Sequence, residues 1–214
     1  VTEINVSAKL PYHSQVNNKL FPLSACNTTS AIMWMLDCHV PFEFPANMQP
    51  EDYLTQITET PEAYDYMKQV APWAWDRDRP KVPPRQVHAC LAWAINKLAG
   101  KTVVKFRVDV QLQELVAELA RGNAAILSTV LTRSGHVVTL VGVTSKQELR
   151  DLKDPRSVKL DSIMSWTIDD PYGNYHTGYQ DRRGNDVRFL PEMFDRLTKD
   201  VCSNAKWAHL KAGG

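Results

Sequence analysis

The stretch Cys26-Asn27-Thr28-Thr29-Ser30-Ala31-Ile32-Met33-Trp34-Met35 reads as an apolar helix with a cysteine at its first position. Peptide dipoles leave partial positive charge at a helix start, which favours the thiolate, the form of cysteine that attacks carbonyls. Far downstream, His136 follows Ser134-Gly135 and opens a second apolar run, and Asp170 follows a third in Asp169-Asp170-Pro171-Tyr172-Gly173. A nucleophile, a base and an orienting carboxylate come in that order.

Upstream of Cys26, residues 9–24 lack a regular pattern, and Pro11, Asn17-Asn18 and Pro22 mark turns, so a loop feeds the helix. Downstream, residues 50–70 predict one or two helices interrupted at Pro61. Pro72-Trp73-Ala74-Trp75-Asp76-Arg77-Asp78-Arg79-Pro80 is irregular, aromatic and charged, its charges arranged to pair with one another in water. Residues 84–98 carry Val87, Leu91, Ala94, Ile95 and Leu98 at helical spacing and predict a helix ended by Gly100. From residue 102 the character changes. Residues 102–108 alternate like a strand, 111–121 form an amphipathic helix stopped at Gly122, and 124–130 and 136–143 read as buried strands. Residues 145–162 are a charged insertion, a surface loop or short helix, followed by strands over 165–168 and 187–190 and a short helix over 191–197. Helices first and strands after predict an α+β fold, an N-terminal helical half packed on a C-terminal antiparallel sheet.

A chain of 214 residues with 43% hydrophobic content buries a substantial core and is expected to form one domain over 1–214. With 25 basic and 24 acidic residues the net charge is +1, which gives no electrostatic reason to expect nucleic acid or an anionic membrane as partner. No apolar run approaches the roughly 20 residues that span a bilayer, and residues 1–10 lack a basic-then-apolar signal. The expectation is a soluble, monomeric chain without a membrane span. The first residue is Val1, so trimming of a targeting segment leaves the compartment open. The spacings of Cys26, Cys38, Cys90 and Cys202 match no zinc pattern, and Cys38, Cys90 and Cys202 read as buried apolar thiols. His13, His39, His88, His176 and His209 share no ligand spacing, so neither a metal nor another cofactor is expected, and these histidines read as structural or superficial, with His13 near enough to Gln15 to line a cleft.

Cysteine chemistry also needs donors for the oxyanion. The backbone N–H of Cys26 is one, and the Gln15 side chain is a candidate for the other. Gly135 permits close approach before His136. Asp169 competes with Asp170 to orient the imidazole, and because adjacent strand residues point oppositely only one of the two can face it. Taken together, Pro11-Tyr12-His13-Ser14-Gln15, Cys26-Asn27-Thr28-Thr29-Ser30, Ser134-Gly135-His136-Val137-Val138 and Asp170-Pro171-Tyr172-Gly173-Asn174 resemble the C39-like group of papain-like cysteine peptidases, the soluble relatives of double-glycine bacteriocin-processing domains. The resemblance spans roughly residues 11–197. It implies a papain-like fold with Cys26 as nucleophile, His136 as base, Asp170 as orienter and Gln15 in the oxyanion hole. The chain departs from the group in a longer Gln-to-Cys interval and in the 145–162 insertion.

The exporter-fused relatives carry a nucleotide-binding loop, and no Gly-x-x-x-x-Gly-Lys-Ser/Thr stretch occurs here. What the resemblance implies is a free-standing peptidase of the lysin type that cuts peptide crosslinks of bacterial peptidoglycan, encoded by a phage or secreted after processing. A protein-processing protease, an acyl transferase of transglutaminase type and a non-catalytic binding module are the alternatives. Trp73 and Trp75 would share one face of an extended chain and are candidates to grip substrate, with Gly135 and Tyr172 at the cleft edge; the other reading of the two tryptophans is that they pin a loop to the core. Residues 174–184 form either a further cleft edge or an ordinary hairpin. Gly213-Gly214 resembles a double-glycine signal but is more simply a chain end.

Overall fold

The computed structural model describes residues 1–150, 152, 154–200 and 205–213. In chain order its elements are β1 (Thr2–Asn5), α1 (Cys26–Asp37), α2 (Pro50–Thr58), α3 (Pro61–Val70), a hairpin of β2 (Trp75–Asp76) and β3 (Arg79–Pro80), α4 (His88–Leu98), β4 (Val104–Val110), α5 (Leu112–Ala120), β5 (Ala125–Thr129), β6 (His136–Ser145), β7 (Ile163–Asp169), β8 (Val187–Phe189), α6 (Pro191–Thr198) and β9 (Lys206–Lys211). The helix starts are chemically specified. Pro50 and Pro61 occupy first helical positions, where a missing N–H costs nothing, and the Thr60 side chain caps α3 by accepting from the Ala63 N–H. Gln111 and Glu114 close a reciprocal capping box on α5. The helix predicted from residue 84 begins at His88 instead, because Pro84–Gln86 forms a separate 3-10 turn and Val87 is extended.

Seven strands form one antiparallel sheet in the order β4-β9-β5-β6-β7-β8, with β1 paired to β6 beside that path. β5 covers the first half of β6, from Thr129 opposite His136 to Ala125 opposite Leu140. β1 covers the second half, from Asn5 opposite Gly142 to Thr2 opposite Ser145. The fold is thus mixed α+β with a mainly antiparallel sheet, and two parts of the expected layout need correction. The sheet is not confined to the C-terminal half, because β1 enters it next to its longest strand. Helices also cover both faces. Ile126 and Val137 join Ile32, Trp34, Leu91 and Ile95 in one core, while Leu127, Val138 and Leu140 join Leu115, Leu119 and Phe194 in another. Burial on both sides explains why β5 and β6 are nearly continuous apolar runs.

The charged 145–162 segment is less superficial than its composition suggests. It contains 3-10 turns at Pro155–Ser157 and Leu160–Ser162, and it inserts Leu149 and Val158 into the second core. A smaller cluster of Met67, Ala71, Ala74, Val87 and Cys90 joins α3, the hairpin and α4. Among the described residues, no helix is long and apolar enough to cross a membrane.

Candidate active site

α1 lies on the β6 side of the sheet and is fixed there by two hydrogen bonds: Ser30 Oγ donates to the Val137 carbonyl at 2.9 Å, and Thr139 Oγ1 donates to the Ser30 carbonyl at 3.0 Å. Cys26 is one helical turn before Ser30, so the same docking carries the thiol to the start of β6, where His136 stands. Antiparallel pairing of β6 with β7 brings the end of β7 to that point as well, and Asp170 follows directly. His136 Nε2 lies 2.7 Å from Asp170 Oδ1, with Asp170 fully buried and His136 nearly so. Asp169 faces elsewhere and accepts from the Asp186 N–H at 2.8 Å.

Asp170 is held by more than the imidazole. Oδ1 also accepts from the Tyr172 N–H at 2.9 Å, and Oδ2 accepts from Tyr179 Oη at 3.4 Å. Its carbonyl accepts from Tyr12 Oη at 2.6 Å, and its N–H donates to the Gly184 carbonyl at 2.8 Å. Burial and the neighbouring Asp170 charge push the Tyr179 phenol above its usual range, so it remains a donor to the carboxylate. These contacts draw the 174–184 segment around the carboxylate. Gly184 has to be glycine for this: a Cβ there would sit 2.0 Å from the Asp170 carbonyl oxygen.

Burial alone lowers the pKa of His136, but the hydrogen bonds and negative charge of Asp170 and Cys26 outweigh it and raise the imidazole above its ordinary value. The Cys26 thiol also has an acceptor of its own, Asn27 Oδ1 at 3.2 Å. That amide is oriented by its other end, since Asn27 Nδ2 donates to the Arg85 carbonyl at 2.8 Å. Cys38 and Cys90 are buried in the cores, which pushes their thiols up to about 12 and about 11; Cys202 lies outside the described residues.

Gln15 is buried beside Cys26, and both line one cavity of about 530 Å³. Its backbone N–H donates to the Pro171 carbonyl at 2.8 Å, which joins the loop before α1 to the Asp170-Pro171 turn. Its Nε2 donates to the Pro22 carbonyl at 3.0 Å, leaving the second amide hydrogen for a ligand. The first-turn N–H groups of α1 supply the other donors an oxyanion needs. Gly135, at φ +83°, closes a tight turn in which its N–H donates to the Thr132 carbonyl, and it lines the cavity together with Tyr172.

Trp73 lines the cavity and is 65% exposed. Trp75 does not line it. The chain is not extended between them, because Pro72–Ala74 forms a 3-10 turn; Trp75 instead packs edge-on to Tyr64 with Lys68 over its ring. His13 pairs with Glu51 and is likewise outside the lining, whereas His88, read from sequence as structural or superficial, is part of it. No residue of the 145–162 insertion lines the cavity among those described. The sequence gave no individual role to Tyr12 or Asn27, although both lie within the quoted motifs, and it marked Tyr179 and Gly184 only as part of the 174–184 segment, a cleft edge or an ordinary hairpin.

Comparison with family models, with curated proteins and with solved structures returns no match. A thiol at a helix start, an imidazole beside it, a buried carboxylate on that imidazole and amide donors around the sulfur can together perform nucleophilic attack on a carbonyl and proton transfer to its leaving group.

Proposed function

We propose that this chain is a cysteine endopeptidase of papain-like, C39-like type, acting through Cys26, His136, Asp170 and Gln15. The observation that carries the reading is the 2.7 Å contact of His136 Nε2 with the fully buried Asp170, at the point where α1 delivers Cys26. With Nε2 held by Asp170, Nδ1 is the ring nitrogen that takes the proton from Cys26 Sγ. The thiolate adds to the scissile carbonyl carbon, and the oxyanion accepts from Gln15 Nε2 and the Cys26 N–H. His136 then protonates the leaving amine as the C–N bond breaks. Water, deprotonated by His136, attacks the thioester and releases the acid. Each oxyanion donor is worth about 10²–10³ in kcat.

The resemblance directs the search for substrate to peptide crosslinks of the bacterial cell wall. Incubation of the protein and its Cys26→Ala variant with purified sacculi and, separately, with unfolded casein tests both parts of the proposal. Released fragments with new amino termini, absent with the variant, are the expected result, and iodoacetamide should modify Cys26 ahead of the buried Cys38 and Cys90. Casein cleavage without wall release would move the substrate to proteins. Fragment release undiminished in Cys26→Ala, or capture of an added amine in place of hydrolysis, would overturn the peptidase reading.

A further inference from the structure

The cavity over Cys26 and His136, about 530 Å³, falls within the roughly 300–1,000 Å³ of small-ligand and peptide clefts. Apart from the Cys26–His136 pair itself, its lining is uncharged: among the described residues around it there is no Asp, Glu, Lys or Arg. His88 adds no charge at neutral pH, because burial lowers it to about 4. The chain as a whole is 23% charged, so this neutrality is local. The helical half contributes an apolar side to the cleft, with Leu23, Trp73 and Val82, and two of these are left open to water, Leu23 at 81% and Trp73 at 65% exposure. The opposite side contributes hydroxyls, from Ser128 in β5 and from Thr132 and Ser134 in the turn between β5 and β6.

We infer that the cleft is a site for an uncharged peptide segment, with an apolar side chain seated against Leu23 and Trp73 and neutral residues on both sides of the scissile bond. The inference rests on the peptidase reading and specifies its substrate class. A charged side chain entering this cleft gives up water and meets no counter-ion outside the Cys26–His136 pair, whose charges are engaged with each other and with Asp170, whereas an aliphatic or aromatic one covers apolar surface that is otherwise wet. The hydroxyls can bond the peptide groups of an extended chain without selecting a charge. In a wall peptide this directs the cut to junctions between uncharged residues, away from those bearing a free carboxylate or amine.

The test uses peptidyl vinyl sulfones that alkylate Cys26 and differ only in one side chain, Leu, Phe, Ala, Glu or Lys, with methyl vinyl sulfone as the peptide-free control. The rate of mass gain is read at pH 7. Leu and Phe probes are expected to label about tenfold faster than Glu and Lys probes, and Trp73→Ala to bring the Leu and Phe rates down toward that of Ala. Leu23→Glu, at a position too exposed to disturb folding, should speed the Lys probe relative to the Leu probe, a gain that unfolding cannot imitate. Glu or Lys probes that match or exceed Leu would overturn the substrate class alone. Peptidyl probes that all label at the rate of methyl vinyl sulfone would overturn the peptide site and the peptidase reading with it.

Discussion

His136 is the residue whose environment most directly predicts behaviour in solution. Asp170 and Cys26 raise its pKa, so the imidazolium persists above the ordinary value of about 6.5 and is lost only as pH rises through the elevated native value. The same pair stabilises the fold below the unfolded pKa of about 6.5, and that contribution disappears as pH rises through the native one. For a thiolate–imidazolium enzyme the descending limb of kcat/KM against pH reports this group. Asp170→Asn keeps an acceptor for Nε2 but removes the charge, and should move that limb down by about one pH unit or more. A limb that stays in place would remove Asp170 from the role given to it. At this scale the sequence was informative: the first residue of an apolar run, a histidine after Ser-Gly and an Asp-Pro pair were visible as chemistry. Strand alternation allowed only one of the two carboxylates to face the imidazole and the Asp-Pro of the resembled group selected Asp170; Asp169 does face the other way, toward Asp186.

Elements set the spacing between these groups. The α1–β6 contact through Ser30 places the thiol, and the β6–β7 ladder places the imidazole beside the carboxylate. The 174–184 segment then closes over Asp170 through Tyr179 and Gly184. Gly184→Ala should force the Asp170 backbone aside, because no rotamer avoids a Cβ 2.0 Å from a carbonyl oxygen. The expected cost is about 1–3 kcal/mol in denaturant unfolding together with a loss of at least about tenfold in kcat/KM. Unchanged activity would mean that the loop does not hold the carboxylate. The sequence announced α1, α2, α3, α5 and the strands of the β5–β7 region through period and caps. It gave no sign of β1 or β9, since four and six residues with mixed polarity carry too little period to stand out, and Lys206 in β9 is buried only because Asp195 pairs with it.

Across the whole molecule, the two cores leave a third, electrostatic feature between helix and sheet. Asp37, the last residue of α1, is buried with one carboxylate oxygen unpaired, and burial, reinforced by Asp169 and Asp186, raises its pKa to about 8. Its neighbour Asp169 is raised to about 6, again first by burial. Native carboxyls that hold protons the unfolded chain would release favour the fold at low pH. Their contribution is fully present below about 3.9 and is lost as pH rises toward 8. Asp37→Asn should therefore flatten the decline and raise the melting temperature at pH 8 by about 3–6 °C, with little difference near pH 4. A variant melting at or below the parent at pH 8 would contradict this. Chain order by itself determined that helices precede most of the sheet, that Cys26, His136 and Asp170 could serve one reaction, and that no apolar run could span a membrane, because those follow from local period, residue type and length. Only the tertiary structure decided that Trp75 belongs to a packing cluster while Trp73 faces the cleft, that helices cover both faces of the sheet, and that Tyr12, Asn27, Tyr179 and Gly184 gather around Cys26 and Asp170. These are contacts between segments as much as 158 positions apart, from Tyr12 to Asp170, and such contacts are set by packing and pairing, which no local pattern encodes.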